Sequence, residues 1–168
     1  MKIYIGIDPG ASGAIAIIAG EDKWVYDFDD SFGFGVLKDA KKADCKAVIE
    51  KVSAMPGQGV SSMFSMGENL GRWVGRLEAL EIPFDYVTPQ RWKKAMFDTL
   101  PAPVPAKKDE SRAEKQKRLN ERSKLLKELS RERAMRLFPD MAGHLSRKKD
   151  HNRAEALLLA AYAQKTMV

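Results

Sequence analysis

A chain of 168 residues fits one domain around one sizeable core, and 44% apolar residues with only 8 prolines and 12 glycines exclude a disordered or low-complexity whole. The single cysteine, Cys45, excludes an internal disulfide and, with no Cys/His cluster in the sequence, a structural zinc, so a reducing, cytoplasmic setting is expected. The net charge of +6 is unevenly placed: residues 91–149 hold 18 basic and 8 acidic side chains, the remainder 11 and 15, which suits a polyanion gripped by one region and cations held by carboxylates elsewhere. A solvated charged helix is the plainer reading of the same basic run. The opening apolar run, broken at Asp8, is too short for a secretory or membrane-spanning segment, so no membrane partner is expected.

Residues 2–8 alternate apolar and β-branched side chains and end at Pro9-Gly10, and residues 14–18 resume the apolar run after Gly13, which predicts a hairpin. A third strand over 23–27 follows the turn at Gly20, a short helix fits 35–43, and 45–50 (CKAVIE) reads as a buried strand. Residues 55–59 are loop. From 61 to 81, Met63, Met66, Leu70, Trp73, Val74, Leu77 and Leu80 recur at helical spacing. Gly67, Gly71 and Gly75 on that helix each cost stability relative to alanine, which predicts close approach of another backbone. Pro83 ends the helix, 84–87 is a fifth strand, and Pro89 opens a short helix through 96. Residues 100–106, with three prolines, should be extended. The polar stretch 107–120 lacks an apolar stripe and is expected to project before a docking helix over 123–138. A strongly apolar helix over 152–166 closes an α/β domain with a mixed sheet.

Asp8 ends an apolar strand at a Pro-Gly turn, and Glu50 ends the buried-looking strand, so both carboxylates should emerge where strand ends form ligand crevices. Taken singly, Asp8 reads more readily as a turn residue and Glu50 as a cap. Asp150 and Glu155 flank the start of the last helix; five residues rotate by about 500°, so the two carboxylates share one cation only if Asp150 precedes the first turn. His151 and Glu155, at i and i+4, lie on one face without that condition. The plainer roles here are N-capping for Asp150 and a dipole-favoured first-turn acid for Glu155. Together, acids at the ends of three apolar elements point to one crevice. Phosphodiester hydrolysis by in-line attack is served by two divalent ions, and a hard ion such as Mg2+ takes oxygen ligands of this kind.

Four segments, IGIDPGASGAIAII, the strand-end acid and helix in AVIEKVSAMPGQGVSSMFSMGENLGRWVGRLEAL, YVTPQRWKK, and DHNRAEALLLAAYA, together resemble RuvC-like Holliday junction resolvases, especially the bacteriophage branch. The resemblance covers most of the chain outside 101–124, which stands as a basic insertion in a single RuvC-like nuclease domain. It implies a ribonuclease H-like fold with a five-stranded sheet flanked by helices, a homodimer, and paired Mg2+-dependent cuts in four-way or other branched DNA, with two ions per site and Mn2+ as an alternative ion. It also implies residence in the host cytoplasm if the chain is phage-encoded. The family's first Asp falls on Asp8, its Glu after the buried strand on Glu50, and its last acid on Glu155. The family commonly places Asp, sometimes His, three residues before the last acid, where this chain has Asn152. Asp150 is the expected fourth ligand for its charge, with His151 as the alternative.

The resemblance sends the loop after Glu50, with Met55 and Gln58, into the junction, where an apolar side chain wedges between bases; Met63, Phe64, Met66 and Trp73 are expected to pack. Arg91, Lys93 and Lys94 around Trp92 form a candidate phosphate-contact patch, although Trp92 serves equally as an anchor for its helix. Lys107, Lys108, Arg112, Lys115, Lys117, Arg118, Arg122, Lys124, Lys148 and Lys149 are the other expected DNA contacts, with a Glu114–Arg118 ion pair in the solvated-helix alternative. The stretch 107–127 is expected to be mobile without DNA and to lie along a junction arm when bound. Two other functions remain open: a non-catalytic branched-DNA-binding protein with a degenerate metal site, and an actin-like or sugar-kinase-type ATPase. The opening IGIDPGASGA also resembles the ATPases' phosphate-binding hairpin, but those proteins need two such lobes and 168 residues supply one.

Overall fold

The structure, a computed structural model, describes residues 2–10, 12–28, 31–40, 43–53 and 59–167, with backbone alone at 31–34 and 36. Met55 and Gln58 lie outside the described residues. Strands β1 (Lys2–Asp8), β2 (Ala14–Ala19) and β3 (Asp22–Asp27) pair antiparallel, as the hairpin signals require. The β2–β3 turn is closed by Gly20 at a φ of 62°, a conformation that costs glycine little. After α1 (Ser31–Ala40), β4 (Asp44–Glu50) returns parallel to β1. After α2 (Val60–Ala79), β5 (Phe84–Val87) pairs parallel with β4, giving the order β3-β2-β1-β4-β5. The expected mixed five-stranded sheet is therefore present.

The period of two along each strand sorts side chains onto opposite faces. Ile5, Ile7, Ile15, Ile17, Ala47 and Ile49 pack under α1 and α2 against Leu37, Trp73 and Leu77, with Phe28 edge-on to Trp73. Tyr4, Ala16, Ile18 and Val48 face α5 (His151–Thr166) on the other side. By the same alternation Gly6, Asp8 and Glu50 belong to the α5 face. Gly6 is what lets α5 lie so close, because a Cβ there would stand 2.1 Å from the Ala156 carbonyl oxygen and 2.2 Å from the Ala160 nitrogen. The alanines of α5 complete that close crossing.

Helix α3 (Pro89–Met96) starts where Pro89 predicts, with Thr88 accepting from the Arg91 N–H. Helix α4 (Arg112–Leu137) departs from expectation: its 26 residues, about 39 Å, are continuous, and the stretch expected to be mobile is its first half. The reason is a capping box at Ser111 and Glu114, followed by good helix formers. Only its second half docks, through Ser130 and Ala134. The preceding proline segment is tied to it by Arg118, which donates to both Glu110 carboxylate oxygens and to the Val104 carbonyl; the pair expected with Glu114 is not the one formed. Short 3-10 turns at Pro139–Leu145, which carries the exposed His144, and Lys148–Asp150 lead into α5. Among the described residues no helix is long and apolar enough to cross a membrane.

Candidate active site

Asp8 and Glu50 are the last residues of adjacent parallel strands, one step beyond the Ile7–Ile49 pair, so they leave the sheet at the same edge and on the same face. Glu155 meets them because α5 crosses β1 at Gly6, which carries its first turns over the strand end. Asp8 is 6% exposed and Glu155 9%. Burial first, then the Glu155 and Glu50 carboxylates, push the Asp8 carboxyl from its ordinary 3.8 up to about 8, against the opposing Gly10 N–H and Lys93. Burial also raises Glu50, partly offset by its hydrogen bond from Trp92.

Each of the three acids has one oxygen committed to a protein donor. The Gly10 N–H donates to Asp8 Oδ1 at 3.0 Å, and the indole of Trp92 donates to Glu50 Oε1 at 2.7 Å. On Glu155, Oε1 accepts from Ser130 Oγ at 3.0 Å and pairs with Lys93 Nζ at 3.1 Å. Among the described residues no donor bonds the second oxygen of any of the three. As the side chains stand, no group of three or more His, Cys, Asp or Glu among the described residues gathers tightly enough to ligate one ion. Charge coupling reaches across several ångströms, whereas ligation of a hard cation needs oxygens within about 2.0–2.6 Å of it. The cluster thus has the charge of a cation site, with its acids turned toward protein donors. Buried or half-buried, mutually repelling carboxylates, each with an oxygen that no described residue donates to, fit a hard divalent cation, which takes oxygen ligands and relieves that repulsion.

The structure does not bring Asp150 to this group. Burial alone would raise its carboxyl, but hydrogen bonds from the Arg147 side chain and backbone N–H, the latter at 2.9 Å, outweigh burial and hold it below the ordinary Asp value. The cause is local: the one-turn 3-10 helix closes Asp150 back onto Arg147 in a capping box. His151 turns its Nδ1 to the Lys148 carbonyl, and Asn152, at the family's ligand position, donates to Ser12 O and Oγ. A cavity of about 280 Å³ beside Asp150 is lined by Ser12, Asp27, Phe28, Lys149, His151 and Asn152.

Of the expected DNA contacts, Lys93 is turned inward onto Glu155 and over the Trp92 ring, with 15% of its side chain exposed. Trp92 is fully buried, an anchor whose indole also holds Glu50. Arg91, Lys94, Lys107, Lys108, Arg112, Lys115, Lys117, Lys124, Lys148 and Lys149 are exposed, Arg122 is half-buried, and Arg118 is committed to Glu110. The sequence reading missed Ser130 and the buried Asn69, whose amide donates to the Gly10 carbonyl and steadies the turn after Asp8. The signal for Ser130 was present: it stands in the stripe Leu126, Ser130, Ala134, a hydroxyl at a core position.

No protein-family model and no curated protein matches the chain. Among solved structures, Thermus thermophilus RuvC in complex with a Holliday junction substrate matches at 13% identity and a TM-score of 0.52, over 98% of this chain and 96% of that one. A second structure of Thermus thermophilus RuvC covers the same shares at 14% identity and a TM-score of 0.47. The first superposition and the strand order together give the chain the RuvC fold, a ribonuclease H-like mixed five-stranded sheet flanked by helices.

Proposed function

We propose that this chain is a divalent-cation-dependent endonuclease that hydrolyses phosphodiesters in four-way or otherwise branched DNA. The observation that carries the reading is the convergence of buried Asp8 and Glu155 with half-buried Glu50 at one sheet edge, short of positive charge, in a fold shared with a protein whose structure holds a Holliday junction substrate. When bound, two Mg2+ or Mn2+ ions would supply an activated water and stabilisation of the leaving oxygen. Asp8, Glu50 and Glu155 would hold the ions through the oxygens to which no described residue donates. Asp150 joins that set only by giving up Arg147, and His151 only by turning from Lys148, so the reading rests on the three.

The exposed cations of α4 and its flanks would hold the phosphate backbone, residues 101–124 forming a basic insertion on a single nuclease domain. Paired cuts call for two copies related by a two-fold axis. The face of α2 supports that arrangement: a Cβ added at Gly67, Gly71 or Gly75 meets nothing within 4 Å, and Val60 and Phe64 are exposed, so no described residue of the same chain takes up the close approach these glycines allow. The bacteriophage assignment rests on the four sequence motifs alone.

The test is cleavage of a labelled synthetic four-way junction and of the matching linear duplex, with Mg2+ or with EDTA, alongside sedimentation of the protein. Paired nicks in the junction that require the cation are expected from a dimer. Junction binding without any cleavage would instead support the non-catalytic alternative.

A further inference from the structure

We propose that Ser130 is a positioning residue of the carboxylate site, fixing which oxygen of Glu155 faces a cation and making α4 a structural part of that site. The inference rests on the nuclease reading above. Ser130 and Glu155 are among only five polar or charged residues buried among the described ones, and they are bonded to each other, Oγ to Oε1 at 3.0 Å. A serine inside a helix commonly turns its hydroxyl to its own backbone; this one reaches a residue 25 positions away. A buried hydroxyl in a core stripe is costly unless bonded, and alanine would propagate the helix better. The position therefore gains from the hydroxyl something that packing does not supply.

That something is orientation. Lys93 Nζ and Ser130 Oγ approach the same oxygen, Oε1, from α3 and α4, and two donors from separate elements fix the rotation of a carboxylate more firmly than one. Oε2 is left as the oxygen to present. Lys93 alone could follow Glu155 through many rotations, because an ammonium on a flexible stem is a point charge without directional preference. Ser130, fully buried on a helix, cannot follow. Partners of this kind, behind metal-ligating groups, typically matter tenfold to a hundredfold in metal affinity.

The experiment measures Mn2+ affinity of the full chain, without DNA, by calorimetry and by paramagnetic titration. It compares the parent with Ser130→Ala, Asp8→Asn and Ala134→Gly, each also melted in EDTA. Ser130→Ala should weaken Mn2+ binding by roughly tenfold while remaining folded. Ala134→Gly, at another fully buried position of the same stripe, should lower the melting temperature and leave Mn2+ affinity unchanged. Parental affinity in Ser130→Ala, with binding lost in Asp8→Asn, overturns the positioning role and spares the nuclease reading. Equal weakening in Ala134→Gly and Ser130→Ala also overturns the role, by assigning the effect to the packing of α4. A parent that binds no Mn2+ overturns both readings.

Discussion

At the ends of β1 and β4, a buried and a half-buried acid stand in each other's field, and Asp8 and Glu50 are pushed above their ordinary ionisation range. At the start of α4 the acids behave in the opposite way: Arg118 holds Glu110, just before the helix, below its ordinary range, and Ser111 does the same for Glu114 in its first turn. The same residue type is thus a source of instability in one region and a helix-end fastener in the other. Solvent decides the difference. Where water reaches a charge, pairing is worth little and substitution is tolerated; where water is excluded, an unpaired charge is expensive, and a site that keeps one is built for a counter-charge brought from outside. The first region should therefore answer to single substitutions and to pH, and the second only to the removal of several charges together.

The largest expected effect comes from Asp8→Asn. It should bring junction cleavage down to background, on the order of a thousandfold, as expected when electrostatic support of the reacting groups is removed. Junction affinity, supplied by the exposed cations of the arm, should stay close to the parent. A gel-shift titration beside a cleavage time course reads both, and a variant that cuts at the parental rate would remove Asp8 from the site.

A smaller effect appears in stability. Asp8 holds its proton more tightly folded than unfolded, so between its ordinary 3.8 and about 8 the folded state keeps a proton that the unfolded chain has released. Stability in EDTA should therefore fall as pH rises through that window. Asp8→Asn should flatten the fall and be the more stable protein at pH 8 by a few kcal/mol, each unit of difference being worth about 1.4 kcal/mol. Urea unfolding at pH 5 and pH 8 gives the answer; a parent whose stability rises over that interval would contradict the burial of an unpaired Asp8.

The arm should give the smallest response per residue. Changing Lys115, Lys117, Arg122 and Lys124 to Gln, leaving Arg118 on Glu110, should flatten the dependence of junction affinity on log salt by roughly 0.9 for each phosphate that is no longer neutralised. Cleavage at saturating protein should be unaffected. Identical slopes for parent and variant would assign these cations to solvent.

The elements that form the site were legible because apolar runs and prolines mark them: β1, β4, β5, α3 and α5 lie within a residue of their expected bounds. Asp8, Glu50 and Glu155 were legible for the same reason, as acids at the ends of apolar elements. The start of α4 was not, because a solvent-exposed helix has no apolar stripe to show; its signal was the Ser111-x-x-Glu114 box, a pattern of two residues. Helix α1 runs over Ser31–Ala40, where 35–43 was expected. Asp150 was preferred as fourth ligand for its charge, but charge does not tell direction, and a 3-10 turn sends its carboxylate back to Arg147. Lys93 was grouped with its exposed neighbours because sequence does not tell which of three adjacent cations faces inward. Burying Trp92 turns Lys93 to the acids and leaves Arg91 and Lys94 outside.

Anomalous diffraction from a crystal of this protein grown or soaked with Mn2+ tests the central claim most directly. The account predicts Mn2+ density ligated by Asp8, Glu50 and Glu155, with Glu155 Oε1 still held by Ser130 and Oε2 facing the ion. Density bound instead in the cavity beside Asp27 and Asp150, or none at millimolar Mn2+, would contradict it.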